Sequence, residues 1–351
     1  MNIVEFNNLN FNKLFTVFDC LFNIEDIYNK YYNYLFQILF KNNYYSIHQK
    51  FYIKNNNSSI SKGCIGLVNN ANFCYMNSIL QSFLHTPVFI KYFINLDFYN
   101  QMLDLNIDKN VFDNLCLFFL LYWNTQYFQY INVQHFNNFF DYIQKKLSEI
   151  KQNIKCQNSA HEFLGILINN FTCFSKNICI KMKEHIKNNT DHTSDIIDVN
   201  DTYINLSIEK DNDTLDNCIE NYFKTTYSYK DSVITHEKQF YLNKLNNIVI
   251  FNIIRERYEN KKIVYLNHNL KISLQINLDK YFDNNNTNNN YNLYSFVEYV
   301  GNGNGGHYYS YCKNIDNNWY MYNDSRVTLV TVNNILKSKN VVLLFYYKNN
   351  L

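Results

Sequence analysis

Glycine and proline are almost missing from this sequence: seven and one in 351 residues, where ordinary usage runs at about 7% and 5%. Asparagine, tyrosine, phenylalanine and lysine fill the space. This compositional drift makes each remaining glycine informative, because glycine persists where the backbone needs positive φ or a close approach. Also missing is an apolar run long enough to cross a bilayer. The greasiest stretch, Leu117-Phe-Phe-Leu-Leu-Tyr-Trp123, falls far short of the roughly 20 residues a span needs, and nothing at the start reads as a secretory signal. Neither sign of charge dominates: the formal net charge is +2, so neither nucleic acid nor an anionic membrane is an expected partner. The nine cysteines are scattered without framework spacing, which predicts a reducing compartment, the cytoplasm or the nucleus. No C-x-x-C pair occurs. Cys173, Cys179, His185 and His192 have spacings unlike a standard zinc site, so neither a metal nor another cofactor is expected.

Four of the seven glycines fall within Gly301–Gly306, and Gly63 and Gly66 lie just ahead of Cys74. In the segment Gly66-Leu-Val-Asn-Asn-Ala-Asn-Phe-Cys74-Tyr-Met-Asn-Ser-Ile-Leu-Gln81, a polar turn runs into an amphipathic helix whose apolar face is Met76, Ile79, Leu80, Phe83 and Leu84. Asn72 is the expected N-cap and Pro87 the expected end. Cys74 then sits in the first helical turn, where free N–H groups and the helix dipole stabilise an anion. A thiol placed there is a candidate nucleophile, and Asn69 can offer a side-chain N–H to a developing oxyanion.

The second glycine cluster leads to His307, which opens a strand, Tyr308–Lys313. A polar turn, Asn314–Asn318, feeds a second strand, Trp319–Tyr322, followed by Asn323 and Asp324. A hairpin folded about position 315 brings His307 opposite Asn323 or Asp324. The spacing predicts a Cys-His-Asn triad for acyl transfer, with the asparagine carbonyl accepting Nδ1–H and Nε2 facing the thiol.

Elsewhere, residues 1–60 read as a helical extension ending in a polar linker, and residues from Ile65 to about Phe171 are mainly helical. Ser159 and Glu162 form an S-x-x-E capping box at the head of a helix that leaves His161 exposed. Strands follow, as in Tyr203–Ile208 and Ile248–Ile254, and Asp283–Asn290 is a low-complexity loop. Helices first and strands second predict an α+β architecture.

Taken together, these segments resemble the ubiquitin-specific protease family of deubiquitinases, which are papain-like cysteine peptidases. The family's cysteine box, G-L-x-N-x-G-N-T-C-Y-M-N-S-x-L-Q, is similar to Gly66–Gln81; its Q-Q-D-A-x-E-F-L to Gln157–Leu164; its Y-x-L-x-A-V-x-x-H-x-G-x-x-x-x-G-H-Y to Tyr291–Tyr308; its W-x-x-F-[DN]-D-x-x-V to Trp319–Val327; and its closing L-F-Y to Leu344-Phe-Tyr346. The resemblance implies a catalytic domain over residues 61–351, with a helical thumb (about 61–171), β fingers (about 172–245) and a β-rich palm (about 246–351). It implies Cys74 as nucleophile, His307 as base, Asn323 as third triad member, Asp324 in support and Asn69 in the oxyanion hole. Gly301, Gly305, Gly306, Gln157, Ser159 and Tyr308 are implied to bind substrate, the glycines letting the ubiquitin tail pass close to the backbone. The implied activity is hydrolysis after the C-terminal glycine of ubiquitin on protein conjugates, by a monomer. The alternatives are an inactive ubiquitin-binding scaffold, or a protease for another ubiquitin-like modifier. Four departures bear on these: Ala71 replaces the usual Gly, Phe73 the usual Thr or Ser, Ser159 the Asp that meets the basic ubiquitin tail, and Tyr299 a common His. Phe73 is expected to reshape the cleft.

Overall fold

The computed structural model describes residues 62–94, 107–124, 130–230, 233–259, 261–282, 288–301 and 305–348. The helical extension expected over 1–60 and residues 283–287 of the low-complexity loop lie outside them. The architecture is α+β, as the element order in the sequence predicts.

Five helices come first: α1 (Cys74–Leu84), α2 (Pro87–Ile94), α3 (Lys109–Asn124), α4 (Asn137–Glu149) and α5 (Ala160–Asn170). Pro87 does not close α1, which ends three residues earlier, but opens α2, where its missing N–H costs nothing. All eleven residues of α1 are buried, so the helix is not amphipathic toward solvent as its sequence suggested. Its polar side faces other parts of the protein: Gln81 Nε2 donates to the Ile65 carbonyl at 2.8 Å, Tyr122 Oη donates to Gln81 Oε1 at 2.6 Å, and Ser82 and Ser295 join hydroxyls at 2.9 Å. Buried polar side chains on a central helix are tolerated where they find partners of this kind.

The strands form two main sheets. A four-stranded antiparallel sheet comprises β1 (Ile180–Asn188), β2 (Ser194–Asp201), β4 (Thr226–Lys230) and β5 (Val233–Leu245), in spatial order β2-β1-β5-β4. The larger sheet takes β3 (Ile204–Ser207), β6 (Ile248–Ile254), β7 (Asn290–Gly301), β8 (Gly306–Lys313), β9 (Trp319–Asn323), β10 (Arg326–Val330) and β11 (Val341–Lys348), in order β10-β9-β8-β7-β11-β6-β3. Its central strands are buried on both faces. Ile248, Ile250, Leu343 and Phe345 join the core shared with the five helices, while Val249, Phe251, Leu344 and Tyr346 join a second core on the opposite face. Period-two alternation between two cores explains why these strands read as unbroken apolar runs. The sheet thereby presents the β7–β8 and β9–β10 ends to the head of α1.

Candidate active site

Cys74 is the first residue of α1 and only 3% exposed. Asn72 is not its cap. The N-cap position is Phe73, without a side-chain capping bond, and Asn72 sits one residue further out at φ 57, its Nδ2 donating to the Lys155 carbonyl at 3.2 Å. The Phe73 N–H is taken instead by Asn69 Oδ1 at 2.8 Å. Phe73 does not enter the cleft. Its ring is 1% exposed and packs edge-on against Phe140 at 5.6 Å, so the bulky residue beside the nucleophile belongs to the core.

His307 lies near the start of β8, with 39% of its side chain exposed. The β8–β9 ladder runs from Lys313↔Trp319 to Ser310↔Tyr322 and is centred on Asp316, one residue beyond the expected fold point. The turn Asn314–Asn318 closes through Asn314 N–H to the Asn318 carbonyl at 2.8 Å, with Asn317 at φ 63, and its midpoint, Asp316, sets the register. His307 therefore reaches Asn323 by its side chain, beyond the last paired rung.

The ring is also turned the other way from expectation. Nε2–H donates to Asn323 Oδ1 at 2.7 Å, which leaves Nδ1 for Cys74. The interaction with the Cys74 side chain, resisted by burial and helped by Asn323 and Asp324, raises the imidazole from its ordinary 6.5 to about 9. The base is thus an imidazolium at neutral pH, suited to stand beside a thiolate.

Asp324 turns at φ 50, and its carbonyl accepts the Leu67 N–H at 2.9 Å. Its carboxylate accepts Asn69 Nδ2 at 3.0 Å and Asn77 Nδ2 at 2.8 Å, and lies 3.7 Å from His307 Nε2. One N–H of Asn69 is consequently committed to Asp324 rather than free, and one remains. A side chain at Gly66 would strike the Ser325 backbone, its Cβ falling 2.3 Å from the carbonyl oxygen. That close approach locks the Cys74 segment to the residue after Asp324. Cys74, His307, Asn323, Asp324 and Asn69, spread over 255 residues, meet at one place.

The substrate-binding candidates form the adjoining wall. Gln157 clasps the Gly306 backbone, with Nε2 donating to its carbonyl at 2.6 Å and Oε1 accepting its N–H at 3.2 Å. Gly301 pairs with Gly306 across the β7–β8 hairpin. A Cβ on either glycine would come within 2.6 Å of the Tyr299 side chain. Tyr299, in place of the family's common His, is thus the floor under this glycine pair. Gln157, Ser159, Gly305 and Tyr308 line a cavity of about 490 Å³. Ser159 occupies the N-cap of α5 but makes no capping bond. Its Oγ is hydrogen-bonded to His161 Nδ1 at 2.7 Å, and Glu162 accepts Gln152 Nε2 at 2.5 Å, so the capping box does not form. His161 is not the exposed residue that periodicity predicted. It lines the same cavity, and burial holds it below the usual imidazole value, against the pull of Glu162 and Glu256.

Sequence reasoning missed Asn77, which donates to Asp324, and Tyr265 and Glu256, which line the same cavity as Gln157 and Ser159. Only Asn77 carried a signal: it is a polar residue among apolar neighbours one turn after the nucleophile. The four residues weighed for zinc are dispersed, with Cys173 in the helical core and His185 packed on Tyr241 at 4.7 Å. Among the described residues no three His, Cys, Asp or Glu side chains converge as metal ligands.

The family model for ubiquitin carboxyl-terminal hydrolases matches residues 65–346. Ubiquitin carboxyl-terminal hydrolase 20 of Arabidopsis thaliana is 25% identical over 318 residues, covering 80% of this chain and 43% of its own length. Ubiquitin carboxyl-terminal hydrolase 8 of Saccharomyces cerevisiae is 24% identical over 333 residues, covering 81% of this chain and 70% of its own. The chain thus spans less than half the length of the Arabidopsis relative. A chain of the SAGA DUB module Ubp8/Sgf11/Sus1/Sgf73 bound to ubiquitin aldehyde shares the fold, with a TM-score of 0.69 at 20% identity over 84% of this chain and 71% of that one. The motifs, the fold and a family match over most of the chain agree: it belongs to the ubiquitin carboxyl-terminal hydrolase family and, within it, to the ubiquitin-specific proteases.

Proposed function

We propose that the protein is a cysteine-type deubiquitinase that hydrolyses the bond after the C-terminal glycine of ubiquitin on conjugated proteins. The observation that carries this reading is His307, placed between the Cys74 side chain and Asn323 Oδ1 and raised to about 9 by its interaction with Cys74 first and then by Asn323 and Asp324. In the proposed reaction the Cys74 thiolate attacks the glycine carbonyl carbon. The oxyanion is met by the remaining Asn69 N–H and the backbone N–H of Cys74; losing one such donor typically costs about 100- to 1,000-fold. His307 gives its Nδ1 proton to the leaving lysine amine as the C–N bond breaks. It then takes a proton from water, whose oxygen attacks the thioester and frees Cys74. The fold is shared with a module solved with ubiquitin aldehyde, which supports ubiquitin as the ligand. The cavity wall of Gln157, Ser159, Gly305 and Tyr308 is assigned to the ubiquitin tail.

All five catalytic candidates come from one copy, which supports a monomeric catalytic unit. The eight described cysteines are all free, which supports action in the cytoplasm or nucleus. Phe73, one of three departures that favour an inactive scaffold beside Ala71 and Ser159, lies in the core, which supports the enzyme reading. A neutral Ser159 in place of an acid favours, as a second reading, another ubiquitin-like modifier. The test is labelling of the purified protein by ubiquitin carrying a C-terminal electrophile. A covalent adduct is expected, absent in Cys74→Ala. Labelling by a related modifier and not by ubiquitin selects the second reading, and binding of ubiquitin without an adduct selects the scaffold.

A further inference from the structure

Helix α1 carries a buried amide that the proposed reaction does not use. Asn77 is 2% exposed. Its Nδ2 donates to Asp324 Oδ1 at 2.8 Å and lies 3.3 and 3.4 Å from the carbonyls of Leu67 and Val68. Its own Oδ1 is buried without a hydrogen-bond partner among the described residues. The opposite orientation would set that oxygen against three acceptors, so the surroundings fix the amide as a donor. A buried acceptor left open is unfavourable, which points to the donors as the reason for the residue. Two amides thus grip one carboxylate, Asn77 on Oδ1 and Asn69 on Oδ2. That carboxylate stands 3.7 Å from His307 Nε2, yet the Nε2 proton goes to Asn323.

We propose that Asn77 is a positioning residue: by holding Asp324 it aims the Asn69 amide at the oxyanion and keeps His307 on the neutral Asn323. The oxyanion half rests on the reading under Proposed function. When Asn77 is removed, Oδ1 loses its donor, and the carboxylate turns toward His307 Nε2. The titratable groups facing His307 are Cys74 on α1 and Asp324 in the β9–β10 turn, with the Tyr309 ring 6.2 Å away along its own strand.

Two measurements decide it. In the first, kcat for a fluorogenic ubiquitin C-terminal amide is compared among wild type, Asn77→Ala, Asp324→Ala and the double variant. Asn77→Ala is expected to lower kcat about tenfold with little change in KM, and to add no further loss in the Asp324→Ala background. Equal losses in both backgrounds overturn the proposal. The second needs no ubiquitin: the pH dependence of Cys74 alkylation by iodoacetamide, read on the Cys74 peptide by mass spectrometry. The change that accompanies loss of the His307 proton is expected about half a pH unit higher in Asn77→Ala, and less displaced in Asn77→Ser, which keeps a donor. Folded variants with the wild-type profile overturn it. A wild type that alkylates with this profile but hydrolyses no ubiquitin refutes the substrate assignment alone, leaving the hold on Asp324 to be decided by the profiles.

Discussion

Cys74 stands at the head of a helix whose eleven residues are all buried, whereas His307 stands near the start of a strand with 39% of its side chain exposed. The nucleophile's neighbours pack on four other helices and one face of the large sheet, so its place is over-determined by the core. The base depends on the Cys74 side chain, on a 2.7 Å bond to Asn323 and on a glycine hairpin clasped by Gln157. Papain-like chemistry asks for this asymmetry. A thiol at a helix N-terminus works when it is fixed against the dipole, while an imidazole must carry a proton from the thiol side to a leaving group. Substitutions in the apolar packing behind Cys74 should therefore act through stability, and substitutions in the polar contacts around His307 and Asp324 through chemistry.

The sharpest way to break that division is Phe73→Ala. The ring is buried against Phe140, and removing such a side chain usually costs about 3–5 kcal/mol. The expected outcome is a clear fall in Tm, with the folded fraction keeping Cys74 alkylation close to the wild-type rate. A large loss of Cys74 reactivity with unchanged Tm would place Phe73 in the chemistry after all and end the comparison.

Asn323→Ala should do the reverse. Asn323 is half-buried, and its Oδ1 holds the Nε2 proton and helps raise His307 to about 9. Because the folded value lies above the ordinary 6.5, the imidazolium persists at neutral pH and is lost as pH rises through about 9. Wild-type kcat/KM is expected to hold to that region and then fall. In Asn323→Ala the alkaline limb should move down and kcat/KM drop about tenfold, with Tm nearly unchanged. A limb that stays in place would mean that Cys74 and Asp324, not Asn323, govern the imidazole.

The same contrast decides what could be read from the sequence. The central strands were legible because Ile248–Ile254 and the run ending in Leu344-Phe-Tyr346 are apolar on both faces, which few loops are. The heads of α1 and α5 were placed to within a residue, yet both cap chemistries were misjudged. Asn72 is drawn to the Lys155 carbonyl 83 residues away, and Ser159 and Glu162 to His161 and Gln152; local capping rules cannot foresee such competitors. The meeting of His307 with Asn323 was legible from hairpin arithmetic to within one residue, the ladder being centred on Asp316 and not on position 315. The orientation of the ring was not, because either nitrogen satisfies the same spacing. Asn77 was overlooked because its partner lies 247 residues on, and a polar residue on a helix ordinarily faces water.

The smallest expected effect sharpens the comparison from the side of the glycine hairpin. Gln157 is exposed, yet its amide imitates a strand, donating to the Gly306 carbonyl at 2.6 Å and accepting its N–H at 3.2 Å. This ties the approach to α5 to the residue before His307. Such solvent-facing bonds contribute little to stability, about 1 kcal/mol each at most, so Gln157→Ala should leave Tm within a few degrees of wild type. The clasp instead sets the width of the cavity that Gln157 and Gly305 line together, and so the fit of whatever peptide lies in it. Gln157→Ala is accordingly expected to raise KM several-fold with kcat little changed, the pattern of lost uniform binding. If kcat falls and KM does not, the clasp is positioning His307 itself. The base would then be held from both ends, by Asn323 at its ring and by Gln157 through its backbone, and the exposed half of the site would be held more firmly than its exposure implies.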